Sequence, residues 1–232
     1  MPPTYPDYDA DRFNRDTAQH QMTVLHDDGL YRHIRFRRPE TGFYWFDLVT
    51  WPGRLTITGD MGTYVFARID DMFEFFRGPQ INPDYWAEKL PDGRRQAKEY
   101  SEDRFKTRAA EALDEWEKDE DPELLDAYKR AWAEWKAATP TERLSLRTPV
   151  PPTDPAVLRA QFAEAGADGD AGFESEARRI LAGWEDHGVV SDPWEWDLTD
   201  FTWPFLWCCH AIRWGISVYD AARVPAMAMA EG

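Results

Sequence analysis

From Met22 to Arg68, strand-forming residues fall in short runs separated by turn-forming clusters. The runs Thr23–His26, Leu30–Arg38, Phe43–Trp51, Arg54–Thr58 and Thr63–Arg68 are rich in β-branched and aromatic residues. Asp28-Gly29, the tetrapeptide PETG at 39–42, Pro52-Gly53 and GDMG at 59–62 separate them. Short turn-rich connections between strand-formers predict an antiparallel meander of about five strands. After Arg68 the spacing changes. Met72, Phe73 and Phe76 share one helical face, which predicts a helix over Asp70–Arg77 with Asp70 as its N-cap.

Further helices are expected over Gly93–Lys118, Asp121–Ala138, Ala156–Ala165, Phe173–Asp186 and Trp203–Arg223. Residues 139–155 carry five prolines and read as an extended linker. In the last helix Phe205, Cys208, Cys209, Ile212, Ile216 and Tyr219 recur at intervals of three or four, giving an apolar face suited to cover a sheet. The expected fold class is α+β: an N-terminal meander packed against a mostly helical C-terminal part. We read a single domain over 20–222, sheet-rich over 20–78 and helical over 79–138 and 156–222, with flexible ends at 1–19 and 223–232.

Composition narrows the function. The formal charge of −16 argues against a general DNA- or RNA-binding protein, which needs a basic footprint, and disfavours an anionic membrane surface. Twelve tryptophans point to a well-packed core or an interface. The two cysteines, Cys208 and Cys209, are adjacent and cannot build a disulfide framework, so a reducing, cytoplasmic setting is expected. On an apolar helix they read as small core residues. The first residues have neither a basic start nor an apolar stretch of signal-peptide type.

The second strand carries the candidate chemistry. Its side chains alternate between Leu30, Arg32, Ile34 and Phe36 on one face and Tyr31, His33, Arg35 and Arg37 on the other. The first set reads as core, with Arg32 near the margin. The second is cationic and aromatic within an acidic chain. Arginines two residues apart on a strand stand about 6–7 Å apart at roughly 3.3 Å per residue, a spacing suited to phosphates. Trp45 and Trp51 are candidates to stack on a base, and Asp60 completes the expected ligand set. A plainer reading pairs the arginines with the acidic helices, since residues 111–140 hold ten acidic and four basic side chains.

His26, Asp27, Asp28 and Asp60 form an alternative metal set, suited to a metal-bound hydroxide that hydrolyses a phosphoester. Asp-Gly and Gly-Asp pairs equally serve tight turns. No Gly-x-Ser-x-Gly, Cys-x-x-Cys, His-Glu-x-x-His or phosphate-loop sequence occurs, so no catalytic residue is assigned. No cofactor is expected.

The stretches VLHDDGLYRHIRF (24–36), FDLVTWPGRLTITGDMGTYVFARIDDMFEFFR (46–77), INPDYWAEKL (81–90) and FLWCCHAIRWGISVYDA (205–221) resemble a family of proteins encoded by tailed phages and prophages. The resemblance covers about a third of the chain and leaves roughly 91–200 unmatched. It implies phage origin and action in the cytoplasm of a bacterial host, with no particular reaction. Non-structural phage genes of this size commonly encode inhibitors of host defences. The function expected is therefore a non-enzymatic counter-defence protein that binds a phosphorylated, nucleotide-type signal. Two alternatives are an acidic inhibitor that presents residues 111–134 to a host protein as a DNA-like surface, and a metal-dependent phosphodiesterase. A homo-oligomer is compatible with each.

Overall fold

The computed structural model describes residues 10–78, 80–119, 130, 137, 139, 172–186 and 189–230. The chain divides into two compact units, residues 1–99 with 200–232, and residues 100–199, where the sequence pattern alone suggests one domain over 20–222. Together they make an α+β protein, as expected.

The first unit is built on a five-stranded antiparallel sheet. Its strands are β1 (Gln21–Asp28), β2 (Tyr31–Arg37), β3 (Phe46–Trp51), β4 (Arg54–Gly59) and β5 (Gly62–Ala67), in sequential order across the sheet. Registers Ile34↔Leu48, Leu48↔Ile57 and Ile57↔Tyr64 place one apolar row on a single face. That inner face packs with the helix Trp203–Ala230, whose Phe205, Cys208, Cys209, Ile212, Ile216 and Tyr219 are all buried in the same core. Each fully buried large apolar side chain contributes on the order of 1.5–3 kcal/mol. Gly215 allows the close approach: a Cβ there would lie 2.9 Å from Leu48 Cδ1 and 3.1 Å from Phe36 Cε2.

Several elements differ from expectation. Helix α1 (Ala10–Thr17) forms in the segment expected to be loose, because Phe13 is buried against Trp207, His210 and Trp214. The closing helix runs to Ala230 rather than Arg223. Helix α2 (Met72–Phe76) is capped by Asp71, not Asp70: the Asp71 carboxylate accepts from the Phe73 N–H at 3.0 Å. Helix α3 (Pro83–Ala87) follows, capped by Asn82. The single helix expected from Gly93 is instead a 3-10 turn (Gly93–Gln96), strand β6 (Lys98–Tyr100) and helix α4 (Glu102–Asp119).

In the second unit α4 and helix α5 (Glu174–Asp186) share a core of Phe105, Leu113, Leu181, Trp184 and Leu198. Strand β7 (Thr199–Phe201) pairs with β6 where the chain passes between the units, and leads into α6, the closing helix Trp203–Ala230. The proline linker, the helix expected at 156–165, and most of the one expected at 121–138 lie outside the described residues. Among those described, no helix is long and apolar enough to cross a membrane.

Strand β1 has one irregularity. Val24 pairs with Ile34 and His26 with His33, so Leu25 is an extra residue. A bulge of this kind shifts the alternation beyond it. Asp27 is thereby paired with Arg32 and turns to the inner face, where both its oxygens accept from the Tyr219 hydroxyl at 2.9 Å. Arg32, only 7% exposed, makes a bidentate bond to Asp71 at 2.9 and 3.0 Å and lies over the Phe73 ring. The core margin expected for Arg32 is thus a paired charge that also fixes the start of α2.

Candidate functional site

The outer face of the sheet carries the alternate set: Tyr31, His33, Arg35 and Arg37 on β2, and Asp47, Val49 and Trp51 on β3. The register Arg35↔Asp47 decides the electrostatics. Asp47 is 4% exposed and accepts three charge-assisted bonds, from Arg35 Nε and a terminal guanidinium nitrogen at 2.8 Å each, and from His33 Nε2 at 2.7 Å. Burial pushes the Asp47 carboxyl up, but the Arg35 and His33 bonds outweigh it and hold the group below its ordinary value. The same bonds raise the Arg35 guanidinium. The expected acidic-helix partners are therefore replaced, at Arg35 and His33, by a carboxylate on the neighbouring strand.

Arg37, one pleat further along, is exposed, and its guanidinium has no hydrogen bond or ion pair among the described residues. Arg35, Arg37, Glu40, Thr41, Gly42 and Trp45 line an open depression of about 490 Å³ at the β2–β3 connection. The Arg35 guanidinium lies over the Trp45 ring, 5.4 Å from its centroid, a cation–π contact that holds the half-buried indole as one wall.

The connection between β2 and β3 is held from both sides. Glu40 and Tyr44 adopt left-handed backbone angles, φ 64° and 59°, a region that costs most non-glycine residues energy. Tyr44 is anchored at both backbone groups: its N–H donates to Asp60 Oδ2 at 2.8 Å, and its carbonyl meets His20 Nε2 at 2.9 Å. The Asp60 N–H in turn donates to the Trp45 carbonyl at 3.0 Å. Gly59 is required beside this contact, because a Cβ there would sit 2.1 Å from the Trp45 carbonyl oxygen.

Of the seven expected ligand residues, Arg35, Arg37 and Trp45 come together around the depression. Asp60 acts through the Tyr44 N–H, as a residue that shapes the connection. His33 is committed to Asp47. Tyr31 and Trp51 stand at the opposite end of their strands, roughly 20 Å away at 3.3 Å per residue, and cannot share a small ligand with Arg37. The alternative metal set is dispersed. His26, Asp27 and Asp28 lie on β1, Asp60 follows β4, and Asp27 is engaged by Tyr219 and Arg223. Among the described residues no group of three or more His, Cys, Asp or Glu side chains is placed to hold a metal ion.

Asp47, Glu40 and Thr41 are the residues that sequence reasoning missed. Asp47 was legible in principle, since it is the one acidic position in Phe46–Trp51 and the alternation puts it on the polar face. Compared with protein-family models, curated proteins and solved structures, the chain matches none.

Proposed function

We propose that this is a non-enzymatic accessory protein of a phage or prophage that binds a phosphorylated, nucleotide-type small molecule at the β2–β3 depression. The reading rests on one observation: an arginine side chain, Arg37, without a partner among the described residues, beside a fixed indole, Trp45, in an open surface depression. Arg37 donates its planar fork to one phosphate group. Trp45 offers its exposed portion to a ring. Arg35 supplies less charge than its type suggests, because Asp47 balances it, and acts mainly by fixing Trp45. A single phosphate therefore suits the site better than the diphosphate the strand spacing alone suggests. Counter-defence action in a bacterial cytoplasm, by sequestering a nucleotide signal, follows from the phage resemblance joined to this site.

Thermal shift against a panel of linear and cyclic nucleotides tests the proposal. A ligand at one hundred times its Kd stabilises the fold by about 2.7 kcal/mol. Arg37→Ala and Trp45→Ala should each remove most of that shift, and chromatography should recover the ligand unaltered. No stabilisation by any member, or an equal response of the Arg37→Ala protein, sinks the proposal. A ligand recovered hydrolysed would move the reading to an enzyme.

A further inference from the structure

The two edges of the sheet are treated differently. At β5, the Ala67 N–H donates to the Lys89 carbonyl at 2.9 Å, and Gln96 donates to the Thr63 carbonyl. At β1, the other edge, no backbone bond beyond those to β2 occurs among the described residues. All eight residues of β1 except Met22 are exposed, including Val24 at 46% and Leu25 at 48%. The strand carries no Lys and no Pro; its bulge and the inward-turned Asp27 are the edge devices it does have, and the bulge sets the register of the pairing that follows. An open row of backbone donors and acceptors flanked by exposed apolar side chains is a template for another strand.

We infer that β1 pairs antiparallel with β1 of a second copy of this chain, about a two-fold axis between Val24 and Leu25, to form a ten-stranded sheet. The bulge is what makes the strand self-complementary. Opposed residues in an antiparallel pair must lie on the same face. In a regular eight-residue strand, full-length pairing about its centre opposes residues of unlike parity and so mismatches the faces. Here the extra residue at Leu25 shifts the alternation. Gln21, Thr23, His26 and Asp28 share the outer face, being paired with Arg37, Arg35, His33 and Tyr31. The two-fold sets Gln21 opposite Asp28 of the partner subunit and Thr23 opposite His26 of the partner subunit, face matched to face. Met22 opposes the partner's Asp27 on the inner side. Val24 and Leu25 of both copies meet at the axis and cover one another.

Charge follows the same symmetry. Asp28 makes one end of the edge acidic, Asp27 being turned inward to Tyr219 and Arg223, while Arg37 and Arg38 make the other basic. Antiparallel pairing brings unlike ends together twice. Such a contact is isologous and closes at two copies. Its small area places it among the weaker, concentration-dependent associations.

Sedimentation of the full chain over a wide concentration range tests the inference. The expected result is a monomer–dimer equilibrium that Val24→Lys with Leu25→Lys shifts to monomer, with circular dichroism unchanged because both side chains are already exposed. Cross-linking reads the register directly. Thr23→Cys with His26→Cys should form covalent dimers on mild oxidation, whereas Thr23→Cys with Asp28→Cys should not. Native Cys208 and Cys209 are buried with thiols pushed up by burial, and stay silent. A monomer at every concentration overturns the inference and leaves the edge to a strand of a different protein. A dimer indifferent to the lysines, or cross-linked equally by both cysteine pairs, overturns it as well.

Discussion

Replacing Asp47 by Asn separates the charge of this site from its shape. The carboxylate takes two bonds from Arg35 and one from His33, in a place only 4% exposed. Asparagine is isosteric but has one acceptor oxygen, so at least one bond is lost and the others become neutral-acceptor bonds. Hydrogen bonds to charged groups contribute about 1.5–3 kcal/mol each. Arg35 and His33 are each more than a third exposed and recover water on release, which discounts that figure. The expected net loss is about 2 kcal/mol, or roughly 4–8 °C in Tm. The sign of the pH dependence follows from the carboxyl being held below its ordinary value of 3.8. Its contribution is complete above the unfolded-state value and disappears as pH falls through the lower folded-state value. Thermal melts of both proteins from neutral pH downward should thus show a constant gap that closes only in strong acid. A gap of zero at neutral pH, or one that widens in acid, would refute the reasoning that Asp47 organises the cationic face.

Two further substitutions probe the frame around the site. Asp71→Ala removes the α2 cap and strands the buried Arg32 guanidinium, and should cost about 3–5 kcal/mol in chemical denaturation; Asp70→Ala, one residue earlier, should stay within about 0.5 kcal/mol. Gly59→Ala drives a Cβ into the Trp45 carbonyl and should lower Tm while also weakening any ligand shift at the depression, since the backbone that carries Trp45 must move; unchanged ligand response in a destabilised protein would show that the depression is not the site.

The meander was legible because period-two alternation and turn chemistry agree over 22–68, and the closing helix because its apolar positions keep a helical spacing. What stayed hidden depends on contacts between distant residues. Helix α1 exists because Phe13 finds Trp207 and Trp214, nearly two hundred residues away. Cap choice between Asp70 and Asp71 turns on Arg32. Alternation alone reveals the cationic strand face, but its charge depends on the register that sets Asp47 beside Arg35. Residue type alone puts Tyr31 and Trp51 in the ligand set, and strand length removes them.

The insertion of residues 100–199 between the meander and its covering helix has a consequence for synthesis. The five strands leave the ribosome before that segment, yet Phe205, Ile212, Ile216 and Tyr219, which cover their inner face, are made only after it. Domains generally fold as they emerge, but this sheet must wait for its covering helix with its apolar face open. A nascent chain stalled before residue 200 would therefore recruit chaperones, and a protein truncated at that point would be lost to aggregation or proteolysis even though every strand is present.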